Sequence, residues 1–349
     1  MRPNCFQIPR RMTATNVPRC CSMIAVLLLL VVVAAPPALA QTWAERLGYP
    51  ADTKVLVLHA NELGLAYETN AAGTKLLEDG PVRSAGAMVP APWFADFAQW
   101  GKSHSDNDIG LELTLNSELA NYRYKPILST GLVPSLVGAD DFLWQLPMQS
   151  MVNATAPDVE RELRAQINRA RNLGLNPSHL TTHLGTLVTR PDFMEVYLRI
   201  ARQEWIPAMI VEVTPELVER FRQQGYPLPD EVLALLEDYP LPKVDDLRFL
   251  GDGGSYDAKQ QAFLKLLADL QPGITQIAFA PAIESTALPR IVPNADERVW
   301  NAQLFADEEV RQALAAENVI ITDWREIMRR FEGRPELSES SSNQSQSGE

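Results

Sequence analysis

Apolar and polar positions follow two rhythms along this chain of 349 residues. Short runs of β-branched and small apolar residues predict strands at Lys54–His59, Arg83–Val89, Asp108–Leu115, His179–Thr182, Ala208–Val211, Thr275–Ala280 and Val319–Thr322. Between them, apolar residues recur every three or four positions. They predict helices at Glu68–Glu78, Trp93–Ser103, Asp158–Leu173, Pro191–Glu204, Glu216–Gln224, Asp230–Glu237, Tyr256–Leu270 and Asp307–Glu317. Val159, Leu163, Ile167 and Ala170 form one such stripe. Asp158, after Pro157, is placed to take an early-helix amide, and Gly174 follows as a stop.

Strands that alternate with helices indicate a parallel sheet, because parallel neighbours need a crossover between them. About seven such units predict an α/β fold of one domain, an irregular (β/α) barrel rather than an open doubly wound sheet. No Gly-x-Gly-x-x-Gly turn opens the first helix, which weakens a dinucleotide-binding alternative, and no organic cofactor is expected. In a barrel, functional groups gather where strands end at the C-terminal face.

The ends of the chain read differently. Arg2, Arg10, Arg11 and Arg19 form a basic leader without acidic residues, followed by an apolar run from Met23 to Ala35 and the small residues Ala38-Leu39-Ala40. This is the pattern of a cleavable signal peptide over residues 1–40, cut after Ala40. The run is short of the ~20 residues that span a bilayer, so no stable membrane span is expected after cleavage, and the location is periplasmic or secreted. Residues 41–333 are then the barrel domain, and the Ser-rich segment 334–349 a disordered tail.

Composition narrows the partners. The three cysteines, Cys5, Cys20 and Cys21, all lie in the leader, so the mature chain is expected to hold no disulfide, thiolate metal site or cysteine nucleophile. The formal charge is -13, and without the leader 27 Lys and Arg face 44 Asp and Glu. Such a surface repels phosphate backbones, so no nucleic-acid partner is expected. The absence of a Gly-x-Ser-x-Gly elbow argues against a serine hydrolase.

Three polar segments sit at or just after apolar runs: His59-Ala60-Asn61-Glu62-Leu63-Gly64, Gly110-Leu111-Glu112-Leu113-Thr114-Leu115 and His179-Leu180-Thr181-Thr182-His183. In this order they resemble the active-site segments of the YdjC/ChbG-type (ChbG/HpnK) carbohydrate deacetylases. That family carries Ala-Asp-Asp-Phe/Leu-Gly, Gly-Leu-His-Leu-Thr-Leu and His-Leu-Asp-x-His. The likeness extends through Asn70, Met88-Val89-Pro90, Val133-Pro134-Ser135-Leu136, Gly185-Thr186-Leu187 and Arg298, from about Lys54 to Glu326. It implies a deacetylase-like barrel and a glycan or acetylated amino-sugar as partner. Carried across position by position, Asn61 stands where the family's base stands, and Glu62, Glu112 and His183 stand where it holds a metal. Thr181 replaces the Asp of His-Leu-Asp, and Ala280 replaces a late histidine.

Metal-assisted deacetylation needs a Lewis acid, a base for the water and an acid for the amine. An amide at position 61 has almost no basicity near neutral pH. Three readings of Glu62, Glu112 and His183 therefore stand beside one another. The first is a metal site with altered ligands, where two carboxylates and an imidazole favour Mn²⁺, Mg²⁺ or Fe²⁺ more than the histidine-rich set suited to Zn²⁺. The second is a catalytically inactive, glycan-binding groove. The third is a polar filling of the barrel mouth. A glycosidase working through Glu62 and Glu112 ranks below these. His59 shares a strand face with Asn61 and is either a substitute base or ligand or, more often for such a residue, a hydrogen-bonded structural histidine. Trp93, Trp144, Trp205, Trp300 and Trp324 are candidate sugar-stacking surfaces. Trp144 is favoured because it follows a polar loop.

Overall fold

The computed structural model describes residues 41–223 and 229–333. The leader over residues 1–40 and the Ser-rich tail over 334–349 lie outside the described residues. Among the described residues, seven strands make one sheet: β1 (Lys54–Leu63), β2 (Ser84–Ala87), β3 (Asp108–Leu113), β4 (Leu180–Thr182), β5 (Asp246–Phe249), β6 (Gly273–Phe279) and β7 (Ile320–Ile321). Their order is β4-β3-β2-β1-β6-β5, with β7 also on β1, and every pairing is parallel. Curled and flanked by helices, the sheet is the irregular (β/α) barrel that the alternating rhythm predicts.

β1 is buried on both faces, as expected of a parallel strand with helices outside and a filled barrel inside. Leu56, Leu58 and Ala60 join the cluster shared with the helices, whereas Val55 and Val57 pack with Trp43, Ile274 and Trp324. Full burial of each such Leu or Val contributes about 1.5–3 kcal/mol. His59 and Asn61 continue the odd-numbered face of β1, so they follow Val55 and Val57 up the interior toward the C-terminal mouth.

Two segments depart from expectation. Ala208–Val211 is not a strand: Ala208 bridges Leu180 and Val211 bridges Val244, so the segment crosses the gap between neighbours instead of running along either. β5 alternates Asp246 and Arg248 with Leu247 and Phe249 and is partly exposed along its length, so its apolar signal is weak. The helix Ala156–Asn172 buries the expected stripe of Val159, Leu163, Ile167 and Ala170. Asp158, however, does not cap its own helix; its carboxylate takes the Ser135 amide at 3.0 Å and the Ser135 hydroxyl at 2.7 Å.

That helix also positions the site. Gln166 clamps Thr114 through its amide (3.0 Å) and carbonyl (2.8 Å), and Glu162 accepts the amides of Ile127 (2.8 Å) and Leu128 (3.1 Å). The connection leaving β3, which carries Asn116 and Glu118, is thereby tied at both ends to a rigid helix. Burial alone raises the pKa of Glu162, and the bonds it accepts pull against that rise.

Candidate functional site

Strand β1 does not run regularly into the mouth. Its register with β2 slips between Ala60 and Leu63, and Glu62 adopts φ 63°, a left-handed conformation that non-glycine residues rarely hold. Strict alternation would put Asn61 and Glu62 on opposite faces. The bulge turns Glu62 back so that both residues serve the mouth, and strain of this sort persists only where the surroundings enforce it.

Here the surroundings are charges. Glu62 Oε2 lies 2.7 Å from Arg298 Nη1, an ion contact without hydrogen-bond geometry between two largely buried groups. The backbone amide of Glu62 donates to Glu112 Oε2 at 2.7 Å. The other oxygen of Glu112 lies 2.8 Å from His183 Nδ1, and His183 Nε2 lies 3.0 Å from Glu118 Oε2. Carboxylates only accept, so both ring nitrogens carry hydrogen and His183 is an imidazolium. Burial by itself lowers its pKa, but the bonds and charges of Glu112 and Glu118 outweigh that and hold it well above the ordinary value. Burial likewise pushes Glu118 up, and His183 more than offsets it, leaving Glu118 below its usual range. Three carboxylates thus meet two cations in one closed network.

The structure brings Glu62, Glu112 and His183 to one place, as the family resemblance of the three segments implies. It also adds two partners: Arg298, from the helix Ala295–Ala306, and Glu118. Glu118 was missed because it lies past the end of its strand, in Asn116-Ser117-Glu118. The available signal was a polar triplet directly after the apolar run of β3.

A resident divalent metal would need donors that this arrangement does not leave free. A histidine ligand must offer a bare nitrogen, and His183 has none while both sides face carboxylates. Glu62 faces a guanidinium instead of an open position. Among the described residues, no group of three His, Cys, Asp or Glu is arranged to hold a metal ion. The donor set as placed does not fit a divalent cation. The two-carboxylate glycosidase reading meets a related difficulty, since Glu62 and Glu112 are each held by a cation rather than one of them being kept as a neutral acid.

Asn61 is held from beneath. Its Oδ1 lies 2.6 Å from His59 Nδ1, His59 Nε2 lies 2.7 Å from His179 Nε2, and His179 Nδ1 lies 3.0 Å from the Ser178 hydroxyl. Both histidines are fully buried. His59 is therefore the hydrogen-bonded alternative of the two readings, reached by the predicted shared face with Asn61. Burial first, and the neighbouring His179 second, lower its pKa to about 3, so it stays neutral. Beneath His179, Asp108 accepts from Ser84 Oγ at 2.6 Å and from the Trp324 amide at 3.1 Å, and the Trp324 ring stacks on His179.

Two glycines make room for the rings. Gly86 and Gly110 are register partners on β2 and β3. A Cβ at Gly86 would meet His59 Cε1 at 3.0 Å, and one at Gly110 would meet His179 Nε2 at 2.5 Å. Gly110→Ala is expected to cost about 1–3 kcal/mol by overpacking, read as a lowered urea midpoint at unchanged slope. An unaltered midpoint would show that the ring is not confined there.

At the rim, Tyr67 is 52% and Trp93 38% exposed, with ring centroids 5.6 Å apart. The Trp93 amide donates to Gly64 O at 2.9 Å, which pins this pair beside the end of β1. Trp144, favoured from its loop, is half-buried with its indole nitrogen on Ser135 O at 2.9 Å, and Trp324 is buried in the barrel floor. The late position, Ala280, contributes only its carbonyl, which accepts from Asn301 at 3.0 Å.

A parallel barrel with its charged cluster at the C-terminal strand ends defines a (β/α)-barrel protein with a site at the mouth. The chain belongs to the YdjC-like protein family, which matches residues 55–316. It is 34% identical over 281 residues to a carbohydrate deacetylase of Thermus thermophilus, covering 78% of this chain and 93% of that protein. A carbohydrate deacetylase of Thermoanaerobacter pseudethanolicus is 22% identical over 271 residues, covering 78% and 98%. In fold, the chain is similar to a crystal structure from Enterococcus faecalis V583 described as a cellobiose-phosphate cleavage protein. The TM-score is 0.64 and the identity 21%, covering 78% of this chain and 98% of that one.

Proposed function

We propose that this chain binds a glycan at the barrel mouth without metal-dependent deacetylation, as an exported or envelope protein. The observation that carries the reading is the closed network. Each family metal position is engaged by a protein partner: Glu62 by Arg298, Glu112 by the Glu62 amide and His183, and His183 also by Glu118. Asn61 at the base position lacks basicity, and Ala280 offers no side-chain acid. Family membership supports a carbohydrate as the ligand, and the exposed Tyr67–Trp93 pair supplies an aromatic surface of the sort that receives a sugar ring.

The convergence of Glu62, Glu112 and His183 favours a second reading, an enzyme that opens this network to take a metal. Calorimetry and acetate release on residues 41–349 separate the two. Binding of an N-acetylglucosamine oligomer is expected to be the same with and without chelator. Acetate release with added Zn²⁺, Mn²⁺, Mg²⁺ or Fe²⁺ is expected to stay at the level of a His183→Ala control. Metal-stimulated acetate release abolished in that control would overturn the binding reading in favour of the enzyme.

A further inference from the structure

We propose that the mouth prefers a glycan with free, protonated amines over its N-acetylated counterpart, the ammonium groups set against the open carboxylate oxygens of Glu62 and Glu118. This inference rests on the carbohydrate-binding reading and goes beyond it by assigning the charge of the ligand.

Charge favours the amine. Glu62, Glu112 and Glu118 face two cations, Arg298 and the His183 imidazolium, so one negative charge of the cluster stays uncompensated. The buried phenol of Tyr124 feels that surplus. It lies 3.4 Å from Glu118 Oε2, and after burial itself the fields of Glu118, Glu62 and Glu112 hold its pKa well above the ordinary value.

The hydrogen bonds point the same way. Both oxygens of Glu112 are engaged, one by the Glu62 amide and the other by His183. The side chains of Glu62 and Glu118 are 15% and 21% exposed, and Oε1 of each accepts from no donor among the described residues. Thr181, the register partner of Glu112 on β4, is 4% exposed, and its buried hydroxyl also has no partner. The Cβ that Gly86 lacks would sit 3.4 Å from Glu112 Cβ and 3.5 Å from Thr181 Oγ1, so the hydroxyl is turned into the same interior space as Glu112. Buried polar groups are ordinarily partnered, and this one is left for what enters the mouth.

An ammonium brings three donors and a positive charge to such a place. An acetamido group brings one donor and a carbonyl oxygen, which a carboxylate repels. The discrimination is thus built from repulsion of the wrong group as well as attraction of the right one.

Calorimetry on the wild type compares chitotetraose with its fully de-N-acetylated counterpart, at low salt and at about 0.5 M salt. The amino tetramer is expected to bind about tenfold tighter at low salt, with the advantage shrinking at high salt. Glu118→Gln keeps an acceptor for His183. It is expected to remove most of the advantage and to leave chitotetraose within about twofold. Equal affinities, or tighter chitotetraose, would overturn the amine preference while leaving glycan binding intact. An advantage untouched by Glu118→Gln would mean attraction to the acidic surface at large and would overturn it too, as would a linear tetra-amine that binds as tightly as the amino tetramer. A poorly folded Glu118→Gln would leave the wild-type comparison and the tetra-amine to decide. Failure of the wild type to bind either sugar would remove the carbohydrate reading and this inference with it.

Discussion

Replacing Arg298 with methionine is expected to destabilise the protein by about 3 kcal/mol, with most of that loss recovered when Glu62→Gln is added. Arg298 is 6% exposed, and its guanidinium is the cation facing the Glu62 carboxylate. Breaking a buried pair from one side leaves the remaining charge uncompensated, which costs more than deleting both charges together. The coupling between the two positions, measured by denaturant unfolding of the four forms of a double-mutant cycle, carries the result. Additive losses would mean that Glu62 is stabilised by something other than Arg298. A metal-binding role for Glu62 would then have to be reconsidered, because its side chain would not be committed.

Stability is expected to peak near pH 6.5 and to fall on both sides, with a different histidine responsible for each limb. His59 has its folded pKa lowered to about 3, so below pH 6.5 the unfolded chain takes up a proton that the folded protein refuses. Stability from this group is complete above its unfolded pKa and is lost as pH falls from 6.5 toward 3. At about 1.4 kcal/mol per pH unit, the loss is ~2 kcal/mol by pH 5 and ~5 kcal/mol in full. Asp323, raised to about 6 by burial and by Asp108, titrates with the opposite sign and blunts this limb. His183 works the other way: its raised pKa contributes stability that is complete below pH 6.5 and lost as pH rises toward the folded value. Chemical denaturation from pH 5 to 8 of the wild type, His59→Gln and His183→Gln checks both limbs. His59→Gln should abolish the acid loss, leaving stability level or rising as pH falls through the Asp323 range, and His183→Gln should flatten the alkaline slope. An unchanged acidic slope in His59→Gln would show that His59 is not held neutral in the fold.

Much of the architecture was legible because burial on both faces writes itself into the residues. The apolar run Val55–Leu58 in β1, Ile277–Phe279 in β6 and the alternating Ile109, Leu111 and Leu113 of β3 mark these strands, and the helix Ala156–Asn172 shows its buried stripe at the expected spacing. β5 was not legible: it is a four-residue edge strand in which the charged Asp246 and Arg248 interrupt the apolar residues, and Phe249 itself is exposed. The helix Ala295–Ala306 escaped because it buries polar residues, Arg298 and Asn301, beside Leu304 and Phe305. In the site, the meeting of Glu62, Glu112 and His183 was implied by the family resemblance, but their mutual engagement was not. The bulge at Glu62 breaks the alternation by which faces are assigned, and Arg298 arrives from more than two hundred residues away in the chain. Such pairings are set by where helices dock, which no local period records.

The central place of β1 bears on how the chain acquires its structure. β1 lies near the start of the described chain, yet one of its edges is covered by β6, at residues 273–279, and the first part of its other edge by β7, at residues 320–321, ahead of β2. The barrel floor is closed later still, by Trp324 against His179 and Asp108. Loop closure over such separations is slow, and a strand edge left open in the meantime can pair with another chain. Nascent segments cannot bury β1 on both edges until nearly the whole polypeptide has been made. A chain wired in this way leaves β1 as the element most in need of protection until its last partners arrive.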